Sequence, residues 1–130
     1  MKLDNLIQTD VVTITPASNL LAAACSMRAG RVGSLPVVQD SELVGIITER
    51  DLVRAMAESV DPITRRVSDF MTPDPAVASP EDDTADVAQS MAVLGVRHLP
   101  VVGEAGRLMG IVSARDIAGL EAWPRGGQAA

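Results

Sequence analysis

Residues 15–38 of this chain return, 64 positions on, as residues 79–102. Thr15-Pro16 reappears as Ser79-Pro80, Met27 as Met91, Val32 as Val96, and Leu35-Pro36-Val37-Val38 as Leu99-Pro100-Val101-Val102. One residue is then inserted. After it Gly45-Ile46-Ile47-Thr48-Glu49-Arg50-Asp51 recurs as Gly110-Ile111-Val112-Ser113-Ala114-Arg115-Asp116. The stretches ahead of the repeats correspond as well, Leu3-Asp4-Asn5-Leu6-Ile7-Gln8 with Val67-Ser68-Asp69-Phe70-Met71-Thr72. Two copies of one supersecondary unit thus fill most of the chain, which restricts the fold to a pseudo-symmetric pair. Thr48/Ser113 and Asp51/Asp116 mark two equivalent places where function could sit.

A half of about 60 residues is marginal by itself, so the halves are expected to bury apolar faces on each other. Phe70 and Trp123 are the only aromatic residues. The core must therefore be aliphatic, and base stacking on single-stranded nucleic acid is disfavoured. The net charge of -6 is spread evenly: 8 acids and 5 bases in residues 1–64, 9 and 6 in residues 65–130. Neither half carries the basic stripe of a nucleic-acid surface. Cys25 is the single cysteine, which excludes an intrachain disulfide and a cysteine-based metal cluster. Its Ala-rich helical context predicts a buried, inert thiol. No signal-peptide pattern and no apolar run near 20 residues is present, so a cytoplasmic protein without membrane contact is expected.

Each copy parses alike. Val11 to Thr15 reads as a short strand stopped by Pro16, and Ser18 as the cap of a helix with Leu20, Ala23, Ala24 and Met27 inward, ending at Gly30. Leu35 to Val38 and Leu43 to Thr48 form a hairpin about the polar turn Gln39 to Glu42. Glu49 to Glu58 is a helix with acids in its first turn, which suits the helix dipole. In the second copy Ala76 to Ser79 is the short strand and Asp82 the cap. Val87, Ala88, Met91 and Leu94 form the buried helix face. Leu99 to Val102 and Arg107 to Ser113 are the hairpin, and Ala114 to Leu120 is the last helix. The tail from Trp123 to Ala130 has no periodicity and is expected to fray.

The Thr/Ser–x–Arg–Asp motif has its own chemistry. Thr48 and Ser113 end a strand and start a helix, where a hydroxyl and backbone N–H groups can converge on a phosphate. Arg50 and Arg115 add a guanidinium fork. Asp51 and Asp116 stay on the same side of the first turn, where a carboxylate can accept hydrogen bonds from both ribose hydroxyls. Ile46, Ile47, Ile111 and Val112 on the adjoining strands offer an apolar slot for a base. The competing reading is a capping box, in which the acid bonds back to the cap residue; one residue can serve both roles. The sequence has no catalytic triad order, no Walker loop, no GxGxxG and no metal-ligand spacing, and His98 is its one histidine. An enzyme is therefore not expected, and neither is a required cofactor.

The β-α-β-β-α order, with Leu-Pro-Val-Val and Gly-h-h-Thr/Ser-x-Arg-Asp occurring twice, resembles a CBS domain; two in tandem resemble a CBS pair, or Bateman module. The resemblance covers about residues 3–121: repeat 1 at 3–58, a connector at 59–66, repeat 2 at 67–121 and a tail at 122–130. It implies an α/β (α+β) fold of two pseudo-symmetric repeats packed sheet to sheet. It also implies clefts between them for AMP, ADP, ATP or S-adenosylmethionine, and a homodimer. In the preferred cleft, Asp116, Ser113, Arg115, Arg97 and Ile111 would meet Thr9, Val11, Val12, Val32 and Gly33. In the mirrored cleft, Asp51, Thr48, Arg50 and Ile46 would meet Thr72, Ala76, Val77 and Val96. Gly33 stands where the second copy has Arg97, so a polyphosphate is expected to bind the mirrored cleft less well. With no effector domain attached, a stand-alone regulatory module would signal in trans to an unidentified partner. The rival reading is a ligand-free dimerisation or scaffold module.

Overall fold

The computed structural model describes residues 1–119. Leu3–Leu6 form a 3-10 turn. The elements that follow are α1 (Leu20–Gly30), β1 (Ser34–Gln39), β2 (Glu42–Thr48), α2 (Glu49–Ala57), α3 (Val67–Phe70), β3 (Thr72–Pro73), α4 (Thr84–Leu94), β4 (His98–Val102) and β5 (Leu108–Ser113). Residues 114–119 open a last helix, α5. The expected tail, including Trp123, lies outside the described residues.

Two compact units form, and the chain crosses between them. Among the described residues, unit 1 takes Met1–Val11, Ala76–Glu104 and residues 108–119; unit 2 takes Val12–Pro75 and Ala105–Arg107. The lead-in segment ahead of each repeat is thus seated in the unit built by the other repeat. The hydrogen bonds are reciprocal. In unit 1 Leu3 N–H donates to Asp82 O at 3.1 Å and Thr84 N–H to Met1 O at 2.7 Å. In unit 2 Val67 N–H donates to Ser18 O at 2.8 Å and Leu20 N–H to Arg65 O at 3.1 Å. Leu3 and Val67, both fully buried, plug the two cores.

The cores are aliphatic apart from Phe70 in unit 2, as the composition requires. Unit 2 packs Leu20, Ala23, Met27, Leu35, Val37, Ile47, Val67 and Phe70; unit 1 packs Leu3, Val87, Met91, Leu99, Val101, Val112 and Ile117. The helix spacing i, i+3, i+7 through Leu20, Ala23 and Met27 faces the sheet. Cys25 lies two residues from both Ala23 and Met27, on the outer face, and is exposed; the expected buried thiol is corrected. Leu94 is 52% exposed rather than buried. Its counterpart is Gly30, so the first repeat also fills no core volume at this position.

Both hairpins are antiparallel with the same irregularity: the register shifts between Val37 and Val38 and between Val101 and Val102. The two short strands expected at Val11–Thr15 and Ala76–Ser79 shrink to single parallel bridges, Ile14–Val37 and Ala78–Val101. Proline accounts for this. Ile14 N–H donates to Pro36 O and Val38 N–H to Ile14 O. The next ladder bonds on either side would need N–H groups from Pro36 and Pro16, which have none. Pro100 and Pro80 do the same in the other unit.

The helix caps shift by one residue from the sequence expectation. Asn19, not Ser18, accepts from Ala22 N–H at 2.8 Å. Asp83, not Asp82, accepts from Ala85 N–H at 3.1 Å. Ser18 and Asp82 instead hold the preceding turns, Ser18 Oγ against Thr15 Oγ1 at 2.8 Å and Asp82 Oδ2 on Ser79 N–H at 2.9 Å.

Candidate functional site

Each lead-in segment ends by lying along the strand that leads into a repeated polar motif. In unit 2, β3 joins the sheet in the order β1-β2-β3, with Thr72 opposite Ile46 and Pro73 opposite Gly45. In unit 1, Gln8 occupies the matching place on β5: its N–H donates to Ile111 O at 2.8 Å, and Ile111 N–H to its carbonyl at 3.0 Å. This close approach explains the glycine that opens the motif in both copies. A Cβ on Gly45 would meet Thr72 O at 2.9 Å, and one on Gly110 would overlap Gln8 O.

At the first junction, Thr48 caps α2. Its Oγ1 accepts from Asp51 N–H at 3.2 Å, while Thr48 N–H and Oγ1–H both donate to Asp51 Oδ2, at 2.9 and 3.1 Å. The capping box is complete. Arg54 lies 3.6 Å from the other carboxylate oxygen. It also donates to Phe70 O at 3.0 Å and sits 5.0 Å above the Phe70 ring, with Arg65 at 5.2 Å. These contacts fasten the lead-in segment to α2.

The second junction keeps only half of this arrangement. Ser113, buried, accepts from Asp116 N–H at 3.0 Å. Among the described residues Asp116 makes no return bond to Ser113; its Oδ2 accepts from Gln8 Nε2 at 2.8 Å. Both helix starts are tied to the residue before the hairpin, Glu49 N–H to Gly33 O at 2.9 Å and Ala114 N–H to Arg97 O at 2.8 Å. Arg50 and Arg115 are exposed and form no ion pair among the described residues.

Unit 1 therefore gathers Asp116, Ser113, Arg115, Arg97, Ile111, Thr9 and Val11, and also holds Ala76, Val77 and Val96. Unit 2 gathers Asp51, Thr48, Arg50, Ile46 and Thr72, and also holds Val12, Val32 and Gly33. Ile47 and Val112 are corrected: both are fully buried in the cores and face away from any ligand slot. Ile46 and Ile111 lie on the opposite strand face. Arg97 and His98 are exposed.

One feature of unit 2 was missed by sequence reading. A pocket of about 410 Å³ is lined by Ala24, Met27, Arg28, Arg31, Val32, Gly33, Glu49 and Leu52. The signal was present: Arg31 stands where the second copy has Gly95, and both take a left-handed conformation, φ 54° and φ 72°. A side chain held there costs about 1 kcal/mol or more relative to glycine. Two arginines, Arg28 and Arg31, thus line a pocket of unit 2, which a comparison of Gly33 with Arg97 alone does not register.

No described helix is long and apolar enough to cross a membrane, and no described cluster of three or more potential metal ligands is present.

Protein MJ1225 of Methanocaldococcus jannaschii is 36% identical over 112 residues, covering 85% of this chain and 39% of that protein. Its crystal structure matches with a TM-score of 0.87 and 28% identity, over 93% of this chain and 48% of that one. Inosine-5'-monophosphate dehydrogenase of Korarchaeum cryptofilum is 36% identical over 121 residues, 93% of this chain and 24% of the enzyme. The chain thus spans less than half the length of these relatives. The CBS domain pair of protein MJ0100, solved with 5'-methylthioadenosine and S-adenosyl-L-methionine, matches with a TM-score of 0.80 and 26% identity, over 95% of this chain and 98% of that one. The CBS-domain profile itself matches residues 3–58 and 67–122. With two copies of that domain built around the same strand–helix junction, the chain belongs to the CBS-domain family as a tandem pair.

Proposed function

We propose that this chain is a regulatory module that binds an adenosine-type ligand at its strand–helix junctions and passes the signal to another protein. The observation that carries this reading is the Asp116 junction. A half-buried carboxylate stands at a helix start beside a buried hydroxyl, with its Oδ1 unpartnered among the described residues. Such a carboxylate suits the two hydroxyls of a ribose. Arg115 and Arg97 supply charge for phosphate, and Ile111, Thr9 and Val11 supply the wall for a base. The MJ0100 pair, solved with two adenosine compounds, supports the ligand class. At the Asp51 junction, Thr48, Arg50, Ile46 and Thr72 form the equivalent set, and a ligand there must compete with a closed capping box. The module acts by population shift, since a ligand that prefers one arrangement of the protein increases its share. It is a binding protein and not a catalyst; the dehydrogenase relative is matched over only 24% of its length.

The test is thermal unfolding with AMP, ADP, ATP, S-adenosylmethionine and NAD at about 1 mM. A compound at roughly 100 times its Kd stabilises by about 2.7 kcal/mol, several degrees for a chain of this size. A shift with one compound that vanishes in Asp116→Ala is the expected result. The absence of a shift with every compound would contradict the proposal.

A second reading, a ligand-free homodimer, is favoured by other observations. The Asp51 carboxylate is used structurally, and Val53 (66%), Met56 (79%) and Val93 (79%) are exposed on helices. A tight dimer in sedimentation, with no thermal response to any adenosine compound, would select it.

A further inference from the structure

We propose that Gln8 is a positioning residue, whose side-chain amide holds the Asp116 carboxylate out of the capping box that its counterpart Asp51 completes. This rests on the reading of Asp116 as a ligand group.

The two junctions share one motif, and half of the box is already built at the second: Ser113 Oγ accepts from Asp116 N–H at 3.0 Å. Only the return bond from the carboxylate to the cap residue is missing. The carboxylate is instead held by Gln8 Nε2 at 2.8 Å. Gln8 is well placed to hold it, because its backbone is fixed to β5 on both sides through Ile111. Thr72, in the same register on β2, has a side chain too short to act in this way. No hydrogen bond joins it to Asp51, and the box closes there. The difference between Gln8 and Thr72 thus accounts for the difference between the two carboxylates.

The consequence is chemical. Asp51 Oδ2 carries two hydrogen bonds from Thr48, which a ribose diol would have to displace. Asp116 Oδ2 carries one described hydrogen bond, from a side chain that lies on the surface. A ligand at Asp116 consequently meets a carboxylate aimed by the N-terminal segment, and occupancy there is coupled to the seating of residues 1–11.

The experiment compares wild type, Gln8→Ala and Gln8→Lys by amide NMR and by titration with S-adenosylmethionine and 5'-methylthioadenosine. In Gln8→Ala the Ser113 amide proton should move downfield, towards the position of the Thr48 amide, as the box closes. Affinity should fall about three- to tenfold, on the scale of one ordinary intramolecular hydrogen bond, since Gln8 acts through Asp116 and does not touch the ligand. The melting temperature should change by less than about 2 °C, since Gln8 is exposed. Gln8→Lys restores a donor and should return both the Ser113 amide and the affinity to wild-type values. A Ser113 amide that stays in place in Gln8→Ala overturns the positioning role. An amide that moves while affinity is unchanged overturns its part in binding. If the wild type binds neither compound and gives no thermal shift with AMP, ADP, ATP or NAD, the proposed function fails, and the Ser113 amide of the ligand-free variants still decides whether Gln8 holds Asp116.

Discussion

At the start of α2, Asp51 turns back onto its own cap residue; at the start of α5, Asp116 takes a hydrogen bond from Gln8, 108 residues earlier. The local sequences are Thr-Glu-Arg-Asp and Ser-Ala-Arg-Asp, nearly the same. What separates them is the segment laid alongside, which each repeat receives from the other. A repeated motif therefore fixes where a carboxylate sits but not what it is bonded to. That is set by tertiary partners, which differ because Gln8 and Thr72 differ.

The largest effects should come from the exchange itself. Leu3 is fully buried in unit 1 although it lies near the start of the chain. Leu3→Ala should cost about 3 kcal/mol in urea unfolding. Val67→Ala, the reciprocal change in unit 2, should cost about 2 kcal/mol, since fewer carbons are removed. A cost below about 0.5 kcal/mol for Leu3→Ala, the range of surface substitutions, would mean that the lead-in segment is not part of the unit 1 core. An intermediate effect should separate the two carboxylates. Asp51→Ala breaks a complete capping box and should cost about 1 kcal/mol of stability. Asp116→Ala breaks none and should cost less than about 0.5 kcal/mol. Equal costs would erase the distinction between the junctions.

Much of this architecture was legible in the sequence. The 64-residue offset located both hairpins and both helix pairs, because their apolar spacing is local. The Thr/Ser–Asp motif marked both helix starts for the same reason. The exchange of lead-in segments was not legible, since Leu3 and Val67 read as equivalent apolar residues whichever core receives them. The caps were displaced by one residue because Ser18 and Asn19, like Asp82 and Asp83, are both competent cap types; the neighbouring turn decides which is used. Cys25 shows the limit of composition: its Ala-rich context suggests burial, but the inward face set by Leu20, Ala23 and Met27 leaves it outside.

The smallest expected effect concerns acid. Asp69, in the unit 2 lead-in segment, is held below the usual carboxylate range, first by the Arg66 N–H and then by the Arg65 side chain. A folded-state value below the unfolded one, about 3.9, contributes stability that is present above that pH and is lost as pH falls through the folded value. Hydrogen exchange of residues 67–72 should therefore accelerate below about pH 4. Asp69→Asn, which copies Asn5 from the other lead-in segment, should flatten that dependence. An unchanged acid limb in Asp69→Asn would remove Asp69 from the account.

The most direct test of the central claim is calorimetric titration of S-adenosylmethionine, or of whichever adenosine compound raises the melting temperature most, into wild type, Asp116→Ala and Asp51→Ala. Loss of two charge-assisted hydrogen bonds predicts an affinity at least about 100-fold lower in Asp116→Ala, with its urea midpoint close to that of wild type. Binding of wild-type strength in Asp116→Ala, or a loss of affinity that only tracks a loss of folded protein, would contradict it.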